Sequence, residues 1–81
     1  MSKVSAEILD PIHTRAGRAC LNWSINDLAT HSGQTASNIK KFESGRSVSE
    51  NARQAMIVAL EQSGVELLNG KRHGARLMKS K

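Results

Sequence analysis

The stretch SINDLATHSGQTASNIKKFESGR, residues 24–46, gives the strongest indication of the fold of this 81-residue chain. Ser24 is followed three residues later by Asp27, a capping-box spacing that predicts the start of a helix. Gly33 follows about two turns further on, where a residue that tolerates a positive φ ends such a helix in a sharp turn. The first half of the stretch therefore predicts a short helix that stops at a glycine.

The second half of the stretch predicts another helix, capped by Thr35. Ile39 and Phe42 recur three residues apart and give this helix an apolar inner face. Its opposite face carries small, hydrogen-bonding or cationic residues: Ala36, Ser37, Lys40 and Lys41. Two short helices joined at a glycine describe a helix-turn-helix, and the outer face of the second would be a reading surface for DNA.

Length and composition predict one small all-helical domain with an aliphatic core, since the chain has one Trp, one Phe and no Tyr. The single Cys20 cannot form an internal disulfide, which favours a reducing, cytoplasmic setting. No apolar run is long enough to span a membrane, and no secretory signal is expected. The histidines and Cys20 lack paired zinc-ligand spacing, and no nucleotide-binding loop occurs. We therefore expect no enzyme, no cofactor and no metal.

The net charge of +5 suits a polyanionic partner, but the excess positive charge lies at the end of the chain, which makes it weak evidence for DNA binding. Residues 71–81 contain five Lys and Arg and no acid, whereas residues 1–70 are balanced. The basic tail fits a solvated, solubilising end as well as a DNA contact. The helix-turn-helix pattern therefore carries the functional argument.

Asp10-Pro11 predicts the start of a first helix, preceded by an N-terminal arm, residues 1–10, that is frayed at its start. Trp23 is expected to pack between the first and second helices rather than to stack on a nucleobase. The predicted inward stripe of the first helix is Ile12, Ala16, Ala19 and Cys20.

A fourth helix is predicted to start near Ser49 and to end at Gly64. Ile57 and Val58 fall beside or beyond its inward stripe and indicate a partner surface or a docked tail. That stripe is Ala52, Ala55, Met56, Ala59 and Leu60. Residues 65–68 and 75–78 then read as two strands of a β-hairpin around a glycine-rich turn at 69–74.

These features together resemble the Cro-repressor-type helix-turn-helix family of bacterial and phage regulators. The residues that carry the resemblance are Leu28-Ala29, Ser32-Gly33, Ser37, Ile39 and Phe42-Glu43-Ser44-Gly45. The chain's end, at 64–68 and 74–77, and Asn22-Trp23-Ser24 resemble a bacterial subgroup of these regulators. The resemblance covers residues 11–64 and implies a domain of four or five helices that binds DNA as a dimer. Residues 65–81 would add the hairpin and the basic tail.

The resemblance also implies site residues. Its recognition positions fall on Gln34, Thr35, Ala36, Ser37, Asn38 and Lys41, and it implies a semi-buried ion pair between Arg18 and Glu43. Two positions depart from the family pattern. Ile25 stands where the family commonly has a Gln that contacts phosphate or orders the first recognition residue. Gln34 stands where an apolar residue is usual.

Each candidate has a chemical role that fits a groove of DNA. Lys41 suits guanine, and Asn38 or Gln34 suits adenine if the side chain reaches the base edge. Ala36 suits a thymine methyl group, and Ser37 is permissive. Residues suited to the phosphate backbone are Thr35, Lys40, Arg46 and, less strongly, Arg15.

The sequence thus favours a sequence-specific regulator of double-stranded DNA, mainly a repressor, acting as a homodimer on an inverted repeat. Subunit contact is expected through Ile57, Val58, Leu67 and Leu77. One alternative is an antitoxin that represses its own operon, with Lys71–Lys81 as a neutralising tail for a protein partner. Another is a protein–protein module that keeps the fold without binding DNA.

Overall fold

The computed structural model describes residues 4–68 and 74–78, which form four helices followed by a two-stranded antiparallel sheet. No helix among these residues is long and apolar enough to cross a membrane. The elements are α1 (Pro11–Leu21), α2 (Ile25–Ser32), α3 (Ala36–Glu43), α4 (Glu50–Gln62), β1 (Val65–Leu68) and β2 (Gly74–Leu77).

The helix starts are set by side chains that accept hydrogen bonds from free backbone N–H groups of the first turn. Ser24 and Asp27 form the predicted reciprocal capping box at α2. Thr35 accepts from the backbone N–H of Asn38 at α3, and Ser49 plays the same part at α4. These predicted boundaries are confirmed.

The turn between α2 and α3 depends on Gly33, whose φ is +73°. Its N–H donates to carbonyls of the last turn of α2, and the next residue, Gln34, donates its own N–H to the carbonyl of Ala29 at 3.0 Å. The left-handed backbone lets the chain reverse within three residues, so α3 begins directly beside the end of α2.

The hydrophobic core lies where α2, α3, α4 and β1 meet. Its fully buried aliphatic side chains are Leu28, Ile39, Met56, Leu60 and Val65. The N-terminal segment is part of this core, because Val4, Ala6 and Leu9 are buried. Residues 4–9 of the predicted arm are therefore docked on the domain, and the Arg53 guanidinium of α4 also donates to the Ala6 carbonyl at 2.8 Å. The start of the arm, where fraying is predicted, lies outside the described residues.

The predicted inward stripe of α1 is wrong at two of its four positions. Ile12 and Ala19 are exposed, whereas Ala16 and Cys20 are partly buried and Cys20 packs against the core. The buried positions of α1 are His13, Thr14 and Gly17. Gly17 faces α4 so closely that a Cβ there would lie 3.0 Å from Leu60 Cδ2. The inner face of this helix is therefore determined by close approach to α4 and by hydrogen bonding, and not by hydrophobicity.

His13 joins the start of α1 to the end of the sheet. Its side chain is fully buried; Nδ1 accepts from the Asp10 backbone N–H at 2.9 Å, and Nε2 lies 2.7 Å from the Leu68 carbonyl. Because a carbonyl only accepts, the ring's proton is on Nε2. The histidine thus satisfies two backbone groups at opposite ends of the sequence.

The predicted hairpin is present, with the second strand one residue earlier than expected. Val65 pairs with Leu77 and Leu67 with Ala75, and Met78 donates its backbone N–H to the Gly64 carbonyl at 2.7 Å. Residues 69–73, most of the expected turn, lie outside the described residues. The sheet belongs to the core, since Val65 and Leu67 are both buried.

Candidate functional site

The α3 helix is held to the core by one face. Ile39 is fully buried and Phe42 is 5% exposed, as the spacing of these residues predicts. Ala36, which the sequence places on the outer face, is instead partly buried at the start of the helix and packs against the core. Side chains on the opposite face of α3 can therefore face outward.

A guanidinium clamp fixes the far end of α3 to α1. Arg18 Nε and Nη2 donate to the two carboxylate oxygens of Glu43 at 3.0 and 2.7 Å. Arg18 Nη1 also donates to the Trp23 carbonyl at 3.3 Å. The ion pair implied by the family resemblance is present, and it is bidentate and mostly buried.

Arg15 adds a second guanidinium to this clamp. Its Nη1 donates to the backbone carbonyl of Glu43 at 2.7 Å, which is the last carbonyl of α3. A cation at that end of a helix also suits the helix dipole. Arg15 therefore contacts α3 itself through Nη1, and its contact with the DNA backbone stays a prediction.

The outward face of α3 is cationic and open. Lys40 and Lys41 are exposed, as is Arg46 just after the helix. They border a shallow depression of about 470 Å³, which is lined by Ser37, Lys40, Lys41, Ser44 and Arg46. Three cations and two hydroxyls meet there with no acid among the lining residues, so the surface favours an anionic partner.

At the other end of α3, two amide side chains are joined. Asn38 Nδ2 donates to Gln34 Oε1 at 3.1 Å, and both residues are half-buried. Thr35 lies between them in the chain as the exposed N-cap. The sequence interpretation missed this bond, because Gln34 lies before the N-cap of α3, where the i, i+4 rule for side chains within a helix does not apply.

Ile25, at the first position of α2, is partly buried and packs against the core. Its side chain has no hydrogen-bonding group to offer to a phosphate or to a neighbouring amide. The polar groups at this end of α2 are instead Ser24 and Asp27, which bond each other's backbone N–H groups.

Trp23 is only partly the core plug that the sequence predicts. One part of it packs against the core, and its ring stacks on His31 with centroids 4.1 Å apart and planes 16° from parallel. His31 Nδ1 lies 2.8 Å from the Asp27 carbonyl, which fixes the imidazole. The indole is thus covered by a neighbour on α2.

Two of the four expected subunit contacts are wrong. Ile57 is 2% exposed and Leu67 is 1% exposed, so both are part of the monomer's own core. Val58 and Leu77 remain available, at 39% and 55% exposed. Met78, beside Leu77, is a further exposed apolar side chain that the sequence interpretation did not single out.

Within residues 4–68 and 74–78, no group of three or more His, Cys, Asp or Glu side chains is arranged to hold a metal ion. No protein-family model matches this chain, and no curated protein is significantly similar to it.

Proposed function

We propose that α2 and α3 form a helix-turn-helix and that the chain is a sequence-specific regulator of double-stranded DNA. The observation that carries the proposal is the two-sidedness of α3. Its inner side chains, Ile39 and Phe42, are buried, while Lys40 and Lys41 lie exposed on the other side. A helix that is anchored in the core by one face and is cationic on the other fits the major groove.

The exposed residues divide between base and backbone contacts. Lys41 donates to guanine O6 and N7, and Lys40 and Arg46 bind phosphate oxygens. Thr35 and the free N–H groups at the start of α3 suit another phosphate, because that helix end carries partial positive charge. The clamp formed by Arg15 and Arg18 on Glu43 keeps α3 at one angle to the rest of the domain.

The proposed regulator acts as a homodimer in the bacterial cytoplasm and represses by occupying an inverted-repeat operator. Two α3 helices would enter successive major grooves about 34 Å apart. Val58 and Leu77, both exposed, are the proposed contacts between subunits. Membership of the Cro-repressor-type family is part of the same proposal.

A protein–protein module on the same fold is the competing proposal. It is favoured by Ile25, which lies where a helix-turn-helix commonly places a phosphate-binding Gln and which packs into the core instead. The cationic depression beside α3 favours DNA over this alternative.

Fluorescence anisotropy with labelled duplex DNA from upstream of the chain's own gene tests the proposal. Each phosphate contact contributes about −0.9 to the slope of log K against log salt. Lys40 and Arg46 in two subunits give a slope near −3.6, so affinity falls about 150-fold between 50 and 200 mM salt.

The matched variants are Lys40→Ala and Gln54→Ala, the latter on the exposed side of α4. Lys40→Ala is expected to make the slope shallower by nearly 2 in a dimer, and Gln54→Ala to leave it unchanged. If binding is undetectable at 50 mM salt on both this DNA and pools of random duplex, the DNA-binding proposal is wrong and the protein-binding module takes its place.

A further inference from the structure

The amide pair formed by Gln34 and Asn38 is held rigidly at the end of α3 that would enter the groove first. The Gln34 backbone N–H donates to the Ala29 carbonyl of α2 at 3.0 Å. The Asn38 backbone N–H donates to Thr35 Oγ1 at 3.0 Å. Each backbone is therefore fixed by a different neighbour, and the 3.1 Å bond between the two side chains orients both amides.

The bond leaves the Asn38 amide with a defined set of unused groups. One N–H is donated to Gln34 Oε1, which leaves the second N–H and the carbonyl oxygen of Asn38. One donor beside one acceptor is the complement of the major-groove edge of adenine, which presents the N7 acceptor and the N6 donor. An asparagine held in this way needs no reorientation to bind adenine.

The position of Asn38 on the helix is compatible with that contact. It lies three residues before the exposed Lys41, so the two side chains are neighbours on the surface of α3. Asn38 is half-buried, and its hydrogen bond to Gln34 restricts rotation of the amide.

We propose that Asn38 reads an adenine in the major groove and that Gln34 is a positioning residue that orients the Asn38 amide. The proposal rests on the DNA-binding function proposed above. Gln34, in the turn, would orient the residue that reads the base. Ile25, the apolar first residue of α2, packs against the core, and its side chain has no group that could do so.

The experiment selects duplexes from a random pool with the full chain and then measures affinity for the selected site with each base at every position. Four variants are compared: Asn38→Ala, Gln34→Met, Gln34→Glu and the control Gln54→Ala. Methionine has the length of Gln without its amide oxygen, whereas glutamate keeps an acceptor for the Asn38 N–H. Thermal melting of each variant shows whether the fold is retained.

The expected result is a position where the unaltered chain prefers adenine by about 5-fold to 150-fold, the range for a bidentate contact. Asn38→Ala and Gln34→Met both lose this preference, while Gln34→Glu and Gln54→Ala keep it. Replacing that adenine by 7-deazaadenine, which lacks the N7 acceptor, weakens binding of the unaltered chain but not of Asn38→Ala.

Two results would overturn the inference while leaving the proposed function intact. One is an adenine preference that survives in Asn38→Ala at every selected position. The other is a change from adenine to cytosine preference in Gln34→Glu, because glutamate accepts from cytosine N4 and the reading residue would then be Gln34 itself. A pool with no enriched sequence would instead overturn both proposals.

Discussion

Replacing Arg18 by Met tests whether the clamp on α3 is a major source of the domain's stability. The substitution removes two charge-assisted hydrogen bonds to the Glu43 carboxylate and one to the Trp23 carbonyl. Methionine keeps much of the apolar stem but supplies no donor. The Glu43 side chain, only 7% exposed, is left without its counter-charge.

The magnitude follows from burial. Removing one partner of a buried ion pair costs about 3–5 kcal/mol, because the other charge stays desolvated. A chain of this length has a free energy of unfolding of about 4–12 kcal/mol. Arg18→Met is therefore expected to remove a large fraction of the stability and to leave a marginally folded domain.

Urea denaturation followed by circular dichroism at 222 nm and by Trp23 fluorescence measures this loss. With a slope near 1 kcal/mol per molar urea, typical of a small domain, the midpoint should fall by about 3–5 M. Arg76→Met is the matched control, since Arg76 forms an exposed ion pair with Glu66 that is worth about 0–1 kcal/mol.

The double variant Arg18→Met with Glu43→Leu separates loss of the pair from loss of packing. Because no charge is left buried, the double variant is expected to recover most of the free energy of unfolding that Arg18→Met loses. A loss below about 1 kcal/mol in Arg18→Met, equal to that of the Arg76 control, would show that the ion pair is not a major source of stability and that solvent screens it.

Three further predictions use other parts of the molecule. His13→Phe should cost about 2–4 kcal/mol in urea denaturation, since two partly buried backbone groups lose their hydrogen-bond partner; a loss within 0.5 kcal/mol would contradict that role. Gly33→Ala should cost about 1–2 kcal/mol through backbone strain alone, because open space surrounds the added methyl group; Gly33→Asn should cost less, and equal losses would point to another cause. Lys41→Ala should relax preference at one base pair by about 1–3 kcal/mol in anisotropy titrations, whereas Arg46→Ala should weaken all sequences alike; equal losses on operator and scrambled DNA for Lys41→Ala would remove it from base reading.

Local chemistry made most element boundaries predictable from the sequence. The caps at Asp10, Ser24, Thr35 and Ser49 act within three residues of themselves, so their effect is legible without the rest of the fold. The same holds for the inner face of α3, where the two large apolar residues are its anchors. The exposed cationic face of α3 follows directly from that pattern.

Long-range contacts were not predictable in the same way. Ile57 and Val58 are adjacent β-branched residues on α4, and only the packing of the other elements decides that the first is buried and the second exposed. The sequence alone leaves Leu67 as an exposed strand residue, but in the structure α1 and α4 pack against the sheet and Leu67 is buried. The buried segment 4–9 is too short for a periodic pattern to show which of its apolar residues dock; Val4, Ala6 and Leu9 are buried, whereas Ile8 is exposed.

The starts of the helices, the turn between α2 and α3 and the apolar side of α3 follow from the sequence alone. These properties depend on interactions between residues at most four positions apart. The inner face of α1 depends instead on long-range packing, since Gly17 lies against Leu60 and His13 bonds the end of β1. Burial depends on which surfaces meet, and that information is spread over the whole chain.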